Sequence, residues 1–197
     1  MADAPKPALE SLLGREGCAR LRRALTARAL RWAEGAGTAY LAYADEETAA
    51  LAPAGARAFA QVDGHPGERL GAAFEHVAGE HEGPVVVVGT DQPALSASHA
   101  WGAADDLREG VDVTLGPATA GGYYLLGARR YDPALFDIDP DAWGGPRVME
   151  LTLESVLGAG MSIGWLRSER DLDDPRDVAA LLADPCAPAD IREVLAS

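Results

Sequence analysis

The chain has 197 residues, of which 48% are hydrophobic, and a formal net charge of −14. One domain over residues 1–197 is expected at this length, and the composition is that of a globular protein. The acidic balance disfavours nucleic acid as a partner, because a polyphosphate backbone would be repelled. No apolar run approaches the roughly 18 to 20 residues that cross a bilayer, and the first thirty residues carry no secretory signal. We therefore expect a cytoplasmic protein without membrane contact.

Hydrophobic periodicity predicts helices that alternate with strands along the chain. The first element is a long amphipathic helix over residues 9–32, with a break expected at Gly14 and Gly17. This alternation predicts an α/β fold, a three-layer sandwich around a mostly parallel sheet, followed by a peripheral tail over residues 185–197. Strands are predicted at 38–44, 57–62, 84–90, 111–118, 121–129 and 162–168, and the later helices at 45–52, 67–81, 96–110, 146–160 and 174–184.

A lone carboxylate follows the strongest predicted strand. Residues 84–95 read PVVVVGTDQPAL, and the run of valines is typical of a strand that is covered on both faces. Asp91 comes just past its carboxyl end, where open α/β sheets bind their ligands. Pro93 prevents a helix from starting at once, so Asp91 is predicted on a short extended turn. A structural role in that turn and a chemical role both fit this position.

A second acidic cluster, RDLDDPRD, follows the last predicted strand. Asp174 precedes a proline and is predicted to cap the next helix, while Asp177 falls in the first turn of that helix. Asp173 has no such explanation. Two carboxylates at neighbouring strand ends, Asp91 and Asp173, could hold one hard cation and leave its other positions to phosphate oxygens and water.

Two further segments have residue types that suit ligand binding. Glu68 and Arg69 are predicted at the start of a helix, and Gly121 and Gly122 at the entry to a strand. Paired glycines allow a ligand to approach the backbone closely, and Tyr123 would offer a flat ring. A tight turn followed by core aromatics explains the same pattern. The sequence has no metal spacing among its histidines, no Walker loop, no G-x-S-x-G and no G-x-G-x-x-G, which disfavours the common hydrolases, P-loop enzymes and dinucleotide oxidoreductases.

Five segments occur in this order along the chain: QVDGHPGERLGAAF, GPVVVVGTDQPAL, VTLGPATAGGYYLLG, DAWGGPRVMELTL and RDLDDPRDVAALL. Together they resemble the bacterial family known as DUF2064, or rSAM/selenodomain-associated transferase 1, over about residues 9–184. The resemblance implies the GT-A fold of nucleotide-diphospho-sugar transferases and a glycosyltransferase-like activity, with small nucleotidyltransferases as relatives.

The resemblance also implies roles for individual residues. Asp91, in the family's G-T-D-x-P motif, would bind a metal or diphosphate, and Asp173 would be a second ligand of a divalent cation, Mg²⁺ or Mn²⁺. The partners would be a nucleotide or nucleotide-sugar donor and a small-molecule acceptor. Nucleotidyl transfer is the alternative reaction, and a non-catalytic binding protein is the alternative class. The remaining implied substrate contacts are Glu68, Arg69, Thr90, Gly121, Gly122 and Tyr123, and no catalytic base is implied.

The chain departs from the family pattern at three places. Ala120 stands where the family usually has Asp, and Gln92 stands where it has Cys. The chain begins MADAPKPALESLLG, in which APKP would be a remnant of the family's nucleotide-binding loop, and a buried strand usually precedes that loop. Neighbouring strands without it would leave interior backbone groups unpaired, at roughly 1 to 3 kcal/mol each.

We therefore expect the natural protein to have a further segment upstream of the given sequence. Extending the chain in that direction should raise its melting temperature, because the added strand would pair those backbone groups. Thermal unfolding of the two forms measures this difference. Equal melting temperatures would favour a natural rearrangement of the remaining strands.

Overall fold

A computed structural model describes residues 7–196, which divide into two units. Unit 1 comprises residues 7–59, 89–96 and 170–196, and unit 2 comprises residues 60–88 and 97–169. Residues 4–6 of the APKP segment lie outside this description. Helices and strands alternate as predicted, so the α/β class is confirmed. The prediction of one domain over residues 1–197 stays a prediction.

The observed elements agree with the predicted ones to within a few residues. Two short 3₁₀ turns lie between the fifth strand and the fifth helix. The helices are α1 (Pro7–Ala36), α2 (Glu46–Ala49), α3 (Pro66–Glu80), α4 (Ala97–Glu109), α5 (Val148–Gly158), α6 (Pro175–Ala183) and α7 (Ala189–Ala196). The strands are β1 (Tyr40–Tyr43), β2 (Arg57–Ala60), β3 (Val85–Val88), β4 (Val113–Pro117), β5 (Tyr123–Ala128) and β6 (Ile163–Trp165).

Unit 2 is built around a four-stranded sheet in the order β3-β5-β4-β6. Strand β5 is antiparallel to both β3 and β4, and only β4 and β6 run parallel. The sheet is therefore mixed, and the expectation of a mostly parallel sheet is corrected. The reason lies in the short connection over residues 118–122, because a parallel crossover needs about a dozen residues or more whereas an antiparallel hairpin needs only a few.

Helices cover both faces of this sheet. On one face, Phe74 of α3 and Val156 of α5 lie in one buried cluster with Val113 and Leu126 of the strands. On the other face, Leu107 of α4 packs against Gly127 of β5. A Cβ added at Gly127 would lie 3.2 Å from the Leu107 side chain. Unit 2 therefore has the three layers that the alternation of elements predicts.

Strand β3 lies at one edge of the four-stranded sheet, with β5 as its neighbour. Only Val85 is buried, and the other three valines are half-buried. The valine run therefore does not form a strand covered on all sides. Strands β1 and β2 pair in a separate two-stranded sheet.

The core of unit 1 forms where α1 packs on α6 and α7. Leu21 and Leu25 of α1 contribute to it, together with Leu181 of α6 and Ile191 of α7. The expected break in α1 is confirmed at Gly14, where φ is 65° and the helix kinks, whereas Gly17 lies within regular helix. No helix within residues 7–196 is long and apolar enough to span a membrane. The tail predicted over residues 185–197 includes helix α7, which packs on α1 through Ile191.

Asp45 caps α2 and gives a prediction about pH. Its carboxylate accepts a hydrogen bond from the Thr48 N–H at 2.6 Å and lies 3.8 Å from Arg22. These contacts, the Thr48 hydrogen bond above all, lower the pKa of Asp45 below its ordinary value of 3.8. A lowered pKa in the folded state stabilises the protein above the unfolded value, and this contribution disappears as the pH falls through the folded value.

We expect Asp45→Asn to be less stable than wild type at neutral pH, because the amide keeps the cap acceptor and loses the charge. The carboxylate is 43% exposed, so solvent screening limits the difference to about 0.5 kcal/mol. Urea unfolding of both proteins between pH 7 and pH 3 should show the gap closing below about pH 4. A gap that is constant with pH would contradict the prediction.

Candidate functional site

The loop that carries Asp91 is held in place by helix α1. Arg28 donates hydrogen bonds to the carbonyl oxygens of Pro93 at 2.7 Å and of Leu95 at 3.2 Å. Trp32 donates from its indole nitrogen to the Ser96 carbonyl oxygen at 2.9 Å. Directional bonds to three carbonyl groups hold the backbone of residues 93–96 in place, within the turn predicted around Pro93.

The loop after β6 meets the loop that carries Asp91. The Leu172 N–H donates a hydrogen bond to the Asp91 carbonyl oxygen at 3.2 Å. The Leu172 side chain is buried in the core of unit 1, which fixes the position of the residue that precedes Asp173. The structure therefore brings the two acid-bearing segments together. Gln92 and Asp171, which are 79 residues apart in the sequence, form a second contact between these segments.

The other acids of the second cluster have structural roles. The Asp174 carboxylate accepts from the N–H groups of Arg176 and Asp177, which confirms the predicted helix cap. Burial alone would raise the pKa of Asp177, but the N–H groups of Asp173 and Asp174 and the Arg170 guanidinium lower it below its ordinary value. Both residues thus serve the start of α6.

The role of Asp91 and Asp173 as ligands of one cation stays a prediction. Among residues 7–196, no group of three or more His, Cys, Asp or Glu side chains is placed to hold a metal ion. Mg²⁺ is commonly bound through one or two carboxylates together with substrate phosphates and water. Asp91 and Asp173 supply the oxygen ligands that such a cation prefers.

Glu68 and Arg69 lie in unit 2, where they stabilise the start of α3. The Glu68 carboxylate accepts from the His65 N–H at 3.0 Å, and the His65 ring accepts from the Gly67 N–H, which completes a capping box. Arg69 donates to the Gly64 carbonyl oxygen at 2.9 Å. These contacts account for both residues without a ligand, and their predicted role in substrate binding stays a prediction.

Gly121 and Gly122 form the turn between β4 and β5. Their φ angles are 101° and 77°, a region that favours glycine, and a Cβ at Gly122 would lie 2.9 Å from the Val148 side chain. Tyr123 follows with its ring against the core of unit 2, and burial raises its pKa to about 12. The glycine pair is thus explained by the turn. Thr90, in the loop after β3, is half-buried.

A buried polar cluster in unit 2 was not foreseen from the sequence. The His99 side chain is 1% exposed, and its Nε2 lies 3.0 Å from the Glu169 carboxylate. Arg167 contacts both residues, and Tyr124 donates to the Arg167 carbonyl oxygen at 3.1 Å. Burial, followed by the charge of Glu169, raises the pKa of Tyr124. No motif could have revealed this cluster, because His99 and Glu169 are 70 residues apart.

Residues 21–144 match the family model DUF2064, "Uncharacterized protein conserved in bacteria". The chain belongs to the DUF2064 family. The matched region includes Asp91 and the turn at Gly121, whereas Asp173 lies beyond it.

A solved structure supports the same relationship for nearly the whole DUF2064 chain. It is the crystal structure of a protein from Desulfovibrio desulfuricans G20 described as a "putative nucleotide-diphospho-sugar transferase". The TM-score is 0.81 at 25% sequence identity, over 97% of this chain and 90% of the other. The predicted GT-A-like fold is thereby confirmed. No curated protein matches the chain.

Proposed function

We propose that this DUF2064 protein is a transferase that acts on a nucleotide-activated donor, a nucleotide sugar in the leading hypothesis. The observation that carries the proposal is the hydrogen bond from the Leu172 N–H to the Asp91 carbonyl oxygen, which joins the two acid-bearing loops of unit 1. The similarity to a structure described as a nucleotide-diphospho-sugar transferase favours this reaction class over hydrolysis or electron transfer.

Asp91 and Asp173 would hold Mg²⁺ or Mn²⁺ in this proposal. The cation would supply Lewis-acid stabilisation of the charge that builds on a leaving diphosphate. The chain itself contributes an ordered Asp91 loop, because Arg28 and Trp32 bind its backbone carbonyl groups. Order before binding matters, since catalysis by positioning loses rate when ligands shift by about 1 Å.

The remaining predicted contacts form the second part of the proposal. The resemblance implies no general base, and we assign none. The substrate contacts predicted in unit 2 are Glu68, Arg69, Gly121, Gly122 and Tyr123, and Thr90 is predicted separately in unit 1; the donor and a small-molecule acceptor are their predicted ligands.

A non-catalytic binding protein is the second candidate, and particular observations favour it. Ala120 offers no acceptor at the position where an Asp is expected, and Glu68 and Arg69 are occupied at the start of α3. Such a protein would retain ligand binding without turnover.

Calorimetric titration with UDP, GDP and CTP, each with and without Mn²⁺, tests the proposal. We expect one of the three to bind and its affinity to depend on the metal. A bound nucleotide without any turnover would favour the non-catalytic candidate, and no binding of any nucleotide would contradict the transferase. Product analysis then distinguishes the two reactions, since nucleotidyl transfer releases pyrophosphate and glycosyl transfer yields a glycosylated acceptor.

A further inference from the structure

Gln92 is a buried polar residue next to Asp91. Its side chain is 2% exposed, and its Nε2 donates a hydrogen bond to the Asp171 carboxylate at 3.0 Å. Its Oε1 accepts from the Ala94 N–H at 3.4 Å. The amide thus binds two segments at once, its own loop through the oxygen and the loop after β6 through the nitrogen.

This hydrogen bond lies beside the backbone contact that joins the same two loops. Asp91 and Gln92 are consecutive, as are Asp171 and Leu172, so the pairs Gln92–Asp171 and Asp91–Leu172 are two adjacent links. A single backbone hydrogen bond leaves two segments able to rotate about it. A second bond one residue away removes that freedom and fixes the direction in which Asp91 and Asp173 leave the backbone.

The Gln92–Asp171 bond is strong enough to hold this geometry. Hydrogen bonds to an ionised acceptor contribute more than neutral ones, at about twice the strength. The donor is removed from water, so leaving it without its acceptor would cost the desolvation of a buried amide. A substitution that breaks the bond therefore removes one of the contacts that orient the two loops.

We infer that Gln92 and Asp171 are positioning residues, which orient Asp91 and Asp173 toward a shared divalent cation. The inference rests on the proposed function, since it assumes that these two carboxylates bind the cation. In this inference Gln92 and Asp171 act through the two loops and are not themselves ligands of the ion. Outer-shell partners of this kind typically change metal affinity by about 10–100-fold.

Two single variants and their combination test the inference, because geometry and charge have opposite effects in Gln92→Glu. Gln92→Glu replaces the amide with a carboxylate that faces Asp171, so the bond is lost while a negative charge is added near the cation. Charge alone would strengthen cation binding, whereas lost positioning weakens it. Asp171→Asn keeps an acceptor for Gln92. The double variant Gln92→Glu/Asp171→Asn restores a hydrogen bond in the reverse direction and has the net charge of the wild type.

The measurement is Mn²⁺ binding, followed by the loss of the free-ion electron paramagnetic resonance signal. The amount of Mn²⁺ bound by Asp91→Ala measures non-specific binding to the acidic surface. This amount is subtracted from the binding of every other variant. We expect Gln92→Glu to weaken the Asp91-dependent binding by about tenfold or more, and the double variant to return to within about threefold of the wild type. Melting temperatures of all variants are measured in parallel, since a merely structural pair would change stability and leave the affinity unchanged.

The outcomes distinguish the proposed cation site from the positioning role of Gln92 and Asp171. If the wild type and Asp91→Ala bind Mn²⁺ equally, the proposed cation site is wrong and the positioning role fails with it. If Asp91-dependent binding exists and Gln92→Glu binds as tightly as the wild type or more tightly, only the positioning role is wrong. Failure of the double variant to recover, while its melting temperature matches that of the wild type, would also overturn the inference.

Discussion

Replacing Asp91 with alanine should abolish metal-dependent nucleotide binding and leave the fold intact. The Leu172 hydrogen bond reaches the main-chain oxygen of residue 91, which alanine keeps. The backbone of the following residues is held by Arg28 and Trp32, whose bonds do not involve the Asp91 side chain. The variant therefore removes a carboxylate without releasing the loop.

The expected loss is about a hundredfold or more in affinity for Mn²⁺ and nucleotide together. Outer-shell partners of a metal typically account for about 10–100-fold, and a direct ligand contributes at least as much. Isothermal titration calorimetry on the wild type and the variant, with the nucleotide that binds most tightly, measures the difference. Circular dichroism spectra and melting temperatures would show that the variant is folded.

Asp105→Ala is the matched control for charge. Asp105 lies on the surface of α4, where it pairs with Arg108. Its replacement with alanine removes one negative charge, as Asp91→Ala does. We expect nucleotide binding to be unaffected there. Equal losses in both variants would attribute the effect to the general charge of the protein, and full binding by Asp91→Ala would exclude Asp91 as a ligand.

Replacing Phe74 with alanine should have the largest effect on stability. Phe74 has no exposed surface, and its ring centroid lies 5.7 Å from that of Phe136 and 6.2 Å from that of Tyr131. Removing the ring loses its burial and these aromatic contacts and leaves a cavity in the core of unit 2. Such substitutions typically cost about 3–5 kcal/mol, a large share of the roughly 5–15 kcal/mol that stabilises a typical protein.

Chemical denaturation of wild type and variant measures the change in the free energy of unfolding. The control is Leu157→Ala on α5, because that side chain is 63% exposed and should change stability by less than about 0.5 kcal/mol. A loss at Phe74 as small as that at Leu157 would mean that the cluster around α3 does not stabilise unit 2.

The elements were predictable because each depends on a local pattern. The alternation of helical and strand periodicity places α3, α4 and α6 within a few residues of their observed bounds. Strand direction was less accessible, since it depends on which strands pair. The short connection before Gly121 contains the decisive information, because it permits only a hairpin, and this hairpin makes the sheet mixed.

The roles of site residues were predictable only where a side chain bonds to residues a few positions away in the sequence. Asp174 and Asp177 were correctly assigned to a helix start, because caps are encoded within four residues. Gln92 was noted only as a departure from the cysteine of the family pattern, and its partner Asp171 is 79 residues away. His99 and Glu169 form a comparable pair. Contacts of that range follow from the folding of the whole chain, and spacing in one sequence does not contain them.

The position of β3 has a consequence for the behaviour of the protein in solution. Its outer side has no strand neighbour within residues 7–196, and a valine-rich margin of this kind can recruit a strand from another molecule. The formal charge of −14 keeps molecules apart at neutral pH, but it falls to zero near the isoelectric point of about 4.6. Colloidal stability thus depends on the acidic surface, and the repulsion that it provides is smallest near pH 4.6.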